Sequence, residues 1–401
     1  MKLQAKDLAV LGGRPAFTEQ LHVGRPNIGD RARLLDRVGQ IVETRWLSNG
    51  GPFEHEFEQR VAAVAGVKHC IAMCNATVAL EIAIRALDLR GEVIVPSFTF
   101  VATAHALQWQ EITPVFCDID PATHNIDPGK IEELITPRTS GVVGVHLWGR
   151  PCDVTRLEAL AERHKLKLLF DSAHALGCAS EGRLIGSFGH AEVFSFHATK
   201  FINSGEGGAV VTNDDVLAGR IRLMKNFGFS GLDQVTSIGT NGKMNELCAA
   251  MGLTNLESRG EFTRINQANF ELYKNDLRGI RGLSLLQYEK KNSPNYQYVV
   301  VEVDAPELGL TRDQLSSVLR AENVLARRYF YPGVHRMEPY RSDFPEAKLH
   351  LRQTEAVAAR VLVLPTGTGV TSEEIAKVCG IIRLAVEQSR EISEALAKPP
   401  P

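Results

Sequence analysis

The sequence predicts an α/β fold in which a large, mostly parallel sheet carries helices on both faces and a smaller α+β domain follows. Short apolar runs alternate with helical stretches as far as residue 225, which is typical of βα units. A chain of 401 residues also exceeds the size of one ordinary core. We therefore expect an N-terminal arm over residues 1–30, a large domain over residues 31–260 and a small C-terminal domain over residues 261–401.

The spacing of apolar residues predicts the individual elements. Repeated Gly and Pro in residues 1–30 indicate an extended arm, and the C-terminal KPPP indicates disorder. The expected strands span residues 67–73, 92–95, 113–117, 140–146, 166–170, 193–196, 209–212, 298–303 and 326–330. The expected helices span residues 30–43, 53–64, 77–87, 101–109, 153–164, 214–225, 251–264, 311–322 and 372–387. The helix over residues 251–264 would connect the two domains.

The composition is that of a soluble globular enzyme, with 44% apolar and 23% charged residues. A net charge of -2 gives no reason to expect a nucleic-acid partner. The N-terminus has no apolar core of a signal peptide and no run of 18 apolar residues exists, so we expect a cytoplasmic protein without a membrane segment. Seven cysteines without a CxxC pair indicate reduced thiols and no metal site.

Polar residues follow several predicted strands, and open α/β sheets bind ligands at the carboxyl ends of their strands. Asn75, Ala76 and Thr77 begin a helix, where free backbone amides and the helix dipole can hold an anion. Simple capping by Asn75 or Thr77 is the more common role of such residues. Asp171 ends a wholly apolar strand. It either caps the next helix or meets a buried cation, such as the protonated ring nitrogen of a pyridine cofactor.

Lys200 follows the strand predicted over residues 193–196, in an apolar and hydroxyl-rich setting. Burial lowers the pKa of such an amine, which must lose its proton to form an imine. A single lysine at this position is more commonly a solvated surface residue. The glycine-rich segment over residues 204–208 predicts a tight turn with positive φ, which returns the chain after Lys200.

Asp171 and Lys200 together supply the two charges that the chemistry of pyridoxal 5'-phosphate (PLP) requires. Asp171 would keep the pyridine nitrogen protonated, so that the ring acts as an electron sink. Lys200 would hold the aldehyde and then carry protons. We therefore expect PLP as the cofactor.

Five segments contain distinctive motifs, namely PSFTFVATAHA (96–106), FDSAHALG (170–177), SFHATKFINSGEGGAVVTND (195–214), NGKMNELCAAMGLTNL (241–256) and YPGVHRMEPY (331–340). These motifs resemble those of the DegT-type sugar aminotransferases, and the resemblance covers nearly the whole chain. It implies fold type I of the PLP-dependent transferases, which is the aspartate-aminotransferase-like fold. It also implies transfer of an amino group from L-glutamate to a dTDP-linked keto-deoxysugar. The likeness extends to the 4-aminotransferases of antibiotic deoxysugar pathways, which act on dTDP-4-keto-6-deoxy-D-glucose.

The same resemblance implies a role for each candidate site residue. Lys200 would be the Schiff-base lysine, Asp171 would pair with the pyridine nitrogen, and His174 would lie near the 3-hydroxyl group. The remaining cofactor-binding residues would be Ala76, Thr77, Phe100 and Ser195, with Asn241 contributed by the neighbouring subunit of a homodimer. The sugar nucleotide would be approached by Tyr331, His335 and Tyr340.

Three positions depart from the pattern of the family. Asn75-Ala76-Thr77 stands where Ser-Gly-Thr is usual, and the methyl group of Ala76 limits the approach of the backbone to a phosphate. His174 stands where Gln is common, and a histidine can titrate. Asn241-Gly242-Lys243-Met244 replaces Asn-Tyr-Arg-Met, which changes the expected subunit contact and the substrate preference.

Several alternatives stay open from the sequence. The acceptor is alternatively a 3-keto sugar, and the family also contains PLP-dependent dehydratases that deoxygenate sugars, in which His replaces the lysine. Lys200 favours transamination. A further hypothesis is a sensor or regulator with the same fold. The presence of both Asp171 and Lys200 argues against this hypothesis. The last hypothesis is a nucleotide-sugar binding protein without a cofactor. A colourless purified protein would favour this hypothesis.

Overall fold

The computed structural model describes residue 2 and residues 4–397, so the predicted disorder of KPPP lies outside the described residues. The strands are β1 (Leu21–His22), β2 (His69–Met73), β3 (Glu92–Pro96), β4 (Thr113–Cys117), β5 (Thr139–Val145), β6 (Lys167–Asp171), β7 (Ala179–Ser180), β8 (Arg183–Leu184), β9 (Ala191–Ser195), β10 (Gly208–Thr212), β11 (Phe229–Gly231), β12 (Gln234–Val235), β13 (Leu283–Leu285), β14 (Asn292–Ser293), β15 (Val299–Val303), β16 (Val324–Leu325) and β17 (Val361–Leu364).

Eight of the predicted helices lie within one residue of their predicted bounds, whereas four helices of the described chain, at 305–308, 340–343, 352–360 and 389–396, are not predicted from the sequence. The helices are α1 (Arg31–Thr44), α2 (Pro52–Ala65), α3 (Ala76–Ala86), α4 (Ala102–Gln108), α5 (Val154–His164), α6 (Asp215–Lys225), α7 (Glu246–Glu257), α8 (Arg259–Asp276), α9 (Ala305–Leu308), α10 (Arg312–Ala321), α11 (Tyr340–Asp343), α12 (Arg352–Arg360), α13 (Ser372–Glu387) and α14 (Ser389–Leu396). In the described part of the chain, none of these helices combines the length and the apolar character needed to cross a membrane.

Seven strands form one large sheet in the order β2-β10-β9-β6-β5-β3-β4. Strand β10 runs antiparallel to both of its neighbours, and the remaining pairs are parallel. Strands that are buried on both faces consist of continuous apolar runs, which explains why the sequence predicts them. The prediction of a large, mostly parallel sheet is confirmed.

Strand β6 shows how this sheet separates two hydrophobic cores. Leu168 and Phe170 belong to the same buried cluster as Phe57 on one face, and Leu169 belongs to the cluster that contains Leu107 on the other. Side chains alternate between the two faces of a strand, so one apolar run supplies both cores. The strand ends at Asp171, which places a carboxylate at the carboxyl edge of the sheet.

The N-terminal arm is packed against the C-terminal part of the chain. A small antiparallel sheet has the order β13-β15-β17, and Leu8, Phe17 and Leu21 are buried in the core beside it. Strand β1 pairs in parallel with β16. The buried Glu322 carboxylate accepts hydrogen bonds from the backbone N–H groups of Ala9 and Ala16, both at 2.7 Å. Residues predicted to form only an extended arm therefore complete a core.

The prediction of a single helix over residues 251–264 is wrong. Helix α7 ends at Glu257 and α8 begins at Arg259, with Ser258 between them. The backbone N–H of Ser258 bonds to the Asn255 carbonyl, which closes the end of α7 with a tighter, 3-10 type of turn. The apolar pattern continues across this break, so the sequence does not reveal it. The domain boundary predicted after residue 260 falls in the first turn of α8.

The strand predicted over residues 326–330 is also wrong. Strand β16 ends at Leu325, and beyond it Arg327 makes an isolated bridge to Val363 of β17. Aromatic residues at this position favour a strand by propensity, but they point into a cavity described below. Tertiary packing decides the conformation of the segment.

A buried ion cluster joins α2, β2 and α6. Lys225 Nζ donates to Glu54 Oε1 at 2.7 Å and to Glu58 Oε1 at 3.1 Å, and also to the Ala72 carbonyl at 3.1 Å. All three charged side chains are buried. Arg222 pairs with the other oxygen of Glu58 at 2.9 Å. A single ammonium group therefore compensates carboxylates from two turns of α2.

We expect Lys225→Met to lower the free energy of unfolding by about 3 kcal/mol, because it leaves Glu54 buried without its cation while Arg222 still compensates Glu58. Equilibrium denaturation of the two proteins measures the difference. Lys68→Met is the matched control. Exposed Lys68 lies 3.5 Å from Asp215, and the loss of that exposed pair should have little effect on stability. Equal effects of the two substitutions would contradict the importance of the cluster.

Candidate active site

A cavity of about 370 Å³ lies at the carboxyl edge of the large sheet. Residues that follow β2, β3, β5, β6 and β9 line one side of it, and Tyr298, Arg327, Tyr329 and Phe330 line the other. The predicted site residues that line this cavity are Ala76, Thr77, Phe100, Asp171, His174, Ser195 and Lys200. The parallel strands therefore bring together side chains that are more than 120 residues apart in sequence.

Two hydrogen bonds fix the Asp171 carboxylate at the cavity wall. Thr103 Oγ1 donates to Oδ2 at 2.8 Å, and the backbone N–H of Ala173 donates to Oδ1 at 3.1 Å. Residues 172–178 form turns, which excludes the alternative role of Asp171 as a helix cap. A carboxylate oxygen can accept more than one hydrogen bond, so the fixed group can still bind a cation or a donor in the cavity.

Lys200 lies in the turn after β9 and contributes its amine to the same cavity. Burial lowers the pKa of Lys200 to about 8, and the nearby Asp171 carboxylate opposes this shift. About a tenth of the amine is therefore unprotonated at pH 7, which is far more than in a solvated lysine, and imine formation requires this form. The alternative of a solvated surface lysine does not fit this position.

The glycine-rich segment after Lys200 allows β10 to pass close to α3. A Cβ atom at Gly208 would lie 2.5 Å from the backbone nitrogen of Ala76, so a side chain there would displace the start of the helix. Of the glycines at positions 205, 207 and 208, only Gly205 has a positive φ, of 76°. The segment thus provides one positive φ and a close approach of two backbones, where the sequence predicts a turn alone.

The first turn of α3 has both of the roles that the sequence suggests, namely a capped helix start and a place that can hold an anion. Asn75 caps the helix, since its Oδ1 accepts a hydrogen bond from the Val78 N–H at 2.9 Å. The first amides of a helix, here those of Ala76 and Thr77, have no acceptor within the helix. Both residues line the cavity. The helix start can therefore hold an anion next to the Ser195 hydroxyl, because the cap uses only one of its amides.

His174 is held as a neutral ring with a defined tautomer. Its Nδ1 accepts a hydrogen bond from the Trp148 backbone N–H at 3.3 Å, so the proton of the neutral ring is on Nε2. The ring stacks on Trp148 and on Phe330, with centroid distances of 5.9 and 6.1 Å. Burial, with a smaller contribution from the Lys200 charge, lowers the pKa of His174 well below its usual value. His174 is therefore a hydrogen-bond donor that carries no charge.

The structure does not bring His335 and Tyr340 to the cavity. Both nitrogens of buried His335 have partners, since Nδ1 lies 2.7 Å from Ser97 Oγ and Nε2 lies 3.2 Å from Glu355 Oε1. The fully buried Tyr340 hydroxyl lies 2.7 Å from His105 Nδ1. These contacts assign both side chains to the protein core, so the sequence-based expectation that they approach the substrate is corrected.

Tyr331 and Asn241 lie outside the cavity for different reasons. Tyr331 lines an adjoining cavity of about 330 Å³, which shares Phe100 and Arg327 with the first. Asn241 is exposed, and its Oδ1 accepts a hydrogen bond from Lys243 Nζ at 2.5 Å. Within one protomer Asn241 makes no part of the lining.

The sequence reasoning missed several residues of the site. The missed residues are Thr103, Trp148, Tyr298, Arg327, Tyr329 and Phe330. Thr103 and Trp148 follow β3 and β5, so inspection of every strand end would have included them. The others come from the C-terminal part of the chain, where no strand end of the large sheet points to them.

The fold and the cavity define the class of protein. A seven-stranded, mostly parallel sheet with a partly buried lysine and a fixed carboxylate at its carboxyl edge is the arrangement of the fold type I aminotransferases. The chain belongs to the DegT/DnrJ/EryC1/StrS aminotransferase family, whose sequence profile matches residues 29–383. The prediction of the family and of the fold type is confirmed.

Relatives with established names are similar over most of the chain. The dTDP-4-amino-4,6-dideoxy-D-glucose transaminase of Escherichia coli is 35% identical over 366 residues, which are 90% of this chain and 97% of the relative. The crystal structure of DesI in the presence of its TDP-sugar product is 50% identical, with a TM-score of 0.94. That match covers 98% of this chain and 100% of DesI. The S. venezuelae DesV structure is 29% identical with a TM-score of 0.83, covering 90% and 99% of the two chains.

The neutral state of His174 predicts a specific dependence of stability on pH. The pKa of the ring is about 6.5 in the unfolded chain and is lower in the folded protein. As the pH falls through about 6.5, the unfolded chain takes up a proton that the folded chain does not, and unfolding becomes more favourable. We therefore expect a smaller loss of melting temperature between about pH 7.5 and about pH 5.5 in His174→Gln than in the wild type.

Thermal unfolding at a series of pH values measures this effect. His55→Gln, which removes an exposed histidine, is the control and should follow the wild-type pH dependence. An identical pH dependence of His174→Gln and the wild type would show that His174 is not held in its neutral form.

Proposed function

We propose that this chain uses PLP and L-glutamate to aminate C4 of dTDP-4-keto-6-deoxy-D-glucose, giving dTDP-4-amino-4,6-dideoxy-D-glucose. The observation that carries the chemical part is the presence of the Lys200 amine and the fixed Asp171 carboxylate in one cavity. The sugar is supported by the 50% identity to DesI, whose crystal structure was determined with a TDP-sugar product. The name of the Escherichia coli relative supports amination at C4.

The residues of the cavity fit the chemical groups of PLP. The free amides of Ala76 and Thr77 and the hydroxyl of Ser195 suit a phosphate. The Asp171 carboxylate suits a protonated pyridine nitrogen, and the ring of Phe100, which is 57% exposed, suits the face of an aromatic ring. Lys200 supplies the amine for the aldehyde. We propose that these residues, with His174 near the 3-hydroxyl group, hold the cofactor.

The chain's own groups then perform the proton transfers. Bound PLP supplies an aldehyde that forms imines and an electron sink for the charge that develops at the donor carbon. Lys200 acts as the positioned base and acid that moves the proton, a role worth about 10²–10⁴-fold in rate. Asp171 keeps the proton on the ring nitrogen. His174 is neutral, so its Nε2–H group can donate a hydrogen bond without the ring repelling a protonated Lys200.

An arginine-rich cavity beside the first supports a nucleotide-linked substrate. It is lined by Arg320, Arg327 and Arg328, together with Tyr329 and Tyr331. The guanidinium of Arg327 lies 4.9 Å from the ring centroid of Tyr329, and that of Arg328 lies 5.1 Å from the ring centroid of Tyr331. We propose that these arginines bind the diphosphate, since guanidinium groups bind phosphate oxygens in a bidentate manner. Tyr331 would then contact the sugar nucleotide.

The proposal of dTDP and not GDP as the nucleotide rests on the similarity to DesI. The GDP-perosamine synthase of Caulobacter vibrioides is also 35% identical, over 364 residues that cover 90% of this chain and 96% of the relative. Identity at this level therefore does not separate the two nucleotides, and the match to DesI favours dTDP. Lys200 favours transamination over deoxygenation, because a transaminase requires an amine that can return a proton to carbon.

Reduction of the holoprotein with borohydride tests the cofactor assignment. Peptide mapping should find the pyridoxyl label on Lys200 alone. Lys200→Ala should lack the label and should lose at least about 10³-fold in turnover, because it removes both the nucleophile and the base. Lys165→Ala, which changes an exposed lysine, is the control. A label on another side chain would refute the assignment.

Steady-state assays with L-glutamate test the substrate. We expect 2-oxoglutarate formation with dTDP-4-keto-6-deoxy-D-glucose and a higher KM with the GDP-linked sugar. Turnover only with a 3-keto isomer would reject the proposed acceptor. Activity that requires an electron-transfer partner would indicate deoxygenation.

We further propose that the protein is a homodimer in which Asn241 of one subunit reaches the phosphate site of the other. Asn241 is exposed and lies outside the cavity of its own protomer. Large apolar side chains nearby are also exposed, including Phe227, Leu232 and Ile238, and exposed apolar patches mark contact surfaces. Asn241 is thus an exposed polar residue among exposed apolar ones, which suits a site that two subunits share.

Mixed dimers test this arrangement. Lys200→Ala and Asn241→Leu should each be almost inactive alone. A hybrid dimer would contain one site with an intact Lys200 and an intact Asn241 only if Asn241 acts across the interface. Random mixing should then restore about a quarter of the wild-type activity, because half of the dimers have one intact site of two. The absence of recovery in dimers verified by ultracentrifugation would place Asn241 in its own subunit's site or outside the site.

A further inference from the structure

A second, much smaller cavity of about 20 Å³ lies against Lys200. Thr199, Lys200 and Tyr298 line both this cavity and the large one, so they form the wall between the two. The other residues that line the small cavity are Val23, Gly24, Arg25, Asn27, Asn266, Gln297, Thr366 and Gly367. The N-terminal arm, α8 and the C-terminal part of the chain therefore meet at Lys200.

Two side-chain oxygens from this lining are buried without a hydrogen-bond partner. They are Asn266 Oδ1 and Gln297 Oε1. The orientation of each amide is fixed by its other end, since Asn266 Nδ2 donates to the Asn295 carbonyl at 3.2 Å and Gln297 Nε2 donates to the Thr199 carbonyl at 3.0 Å. Buried polar atoms are nearly always paired, so the two oxygens require a donor.

The size and the chemistry of the cavity identify the donor. A volume of about 10–15 Å³ is enough for one water molecule, and the 20 Å³ of this cavity matches that size. A water molecule has two O–H groups and can donate to both oxygens at once. Its lone pairs then remain free to accept hydrogen bonds from the lining, and Lys200 supplies such a donor.

We propose that one buried water molecule, held by Asn266 and Gln297, accepts a hydrogen bond from the Lys200 amine on the side away from the large cavity. Asn266 and Gln297 are thus positioning residues for Lys200. A water that donates both of its protons to amide oxygens can only accept from the amine, and so it favours the ammonium form. It counteracts the effect of burial on Lys200. The existence of the water does not depend on the proposed function, and only its consequence for turnover does.

The charges around Lys200 stay the same when these amides are replaced. The titratable and charged groups that line the large cavity with Lys200 are Asp171, His174, His197, Glu206, Tyr298, Arg327 and Tyr329, and those that line the small cavity are Arg25 and Tyr298. The Arg25 guanidinium donates to the Gly369 carbonyl at 2.7 Å, which holds it in place. Asn266 and Gln297 are themselves uncharged. A shift in the titration of Lys200 after their replacement therefore reports the lost hydrogen bond.

Two measurements on the full-length protein test the inference. A high-resolution crystal structure should show a water molecule within hydrogen-bond distance of Asn266 Oδ1, Gln297 Oε1 and Lys200 Nζ. Reductive methylation of the cofactor-free protein, followed by peptide mapping, should give the pH at which Lys200 is half-reactive. We expect that pH to fall by about one unit in Asn266→Leu and in Gln297→Met, because the ammonium form loses its acceptor.

Asn292→Leu is the matched control. Asn292 Oδ1 is also a buried oxygen without a partner, but Asn292 lines neither cavity, so its replacement should leave the reactivity of Lys200 unchanged. Thermal unfolding identifies variants that fold. The absence of the water in the wild-type crystal structure would overturn the inference whatever the variants do, and so would an unchanged titration in folded variants. Neither measurement uses cofactor or substrate, so a failure of the transaminase assay would leave both results interpretable.

Discussion

The Lys200 amine and the Asp171 carboxylate act on each other at one cavity, and the rest of the site is arranged around that interaction. Burial removes water from the amine and lowers its pKa to about 8, while the carboxylate opposes the change. Electrostatic effects in such a place are larger than in water, so small displacements of either group have large consequences. Thr103 and Ala173 hold the carboxylate by two hydrogen bonds. The parallel sheet places both groups at the same edge.

The C-terminal part of the chain contributes to this interaction through a chain of aromatic and charged groups. His174 packs between Tyr298 and Trp148. Trp148 Nε1 donates to His124 Nδ1 at 3.2 Å, and His124 Nε2 donates to Glu302 of β15 at 3.0 Å. The neutral ring beside Lys200 is thus connected to the small sheet by hydrogen bonds and stacking. The site is a property of the whole chain and not of the large sheet alone.

The fold and the centre of the site could be predicted because both depend on local patterns. Buried parallel strands are continuous apolar runs, and polar residues at their ends must meet at one edge. The remaining assignments depend on contacts between distant residues. His335 pairs with Ser97, 238 positions away, and Tyr340 pairs with His105, 235 positions away. No pattern near either residue shows that its polar atoms are already used, so the resemblance to a family was the only guide and it misassigned them.

The segment over residues 326–330 shows a second kind of error, in which local propensity predicts a strand that the structure does not contain. Its aromatic residues favour a strand by propensity, yet only Arg327 forms a bridge to the small sheet. Released from regular pairing, the segment directs Arg327, Tyr329 and Phe330 into the large cavity. Functional residues in this protein thus occupy a place where local propensity and tertiary structure disagree.

The docking of the N-terminal arm determines when the enzyme can first become complete during its synthesis. Ala9 bonds to Glu322, 313 residues later in the chain, and β1 pairs with residues 324–325. A ribosome releases the amino end first, so the arm must wait for more than three quarters of the polypeptide to be translated before it finds its partners. Until then the wall beside Lys200 that contains Arg25 and Asn27 is open. Prematurely terminated chains that end before Glu322 lack the partners that hold the arm in this wall.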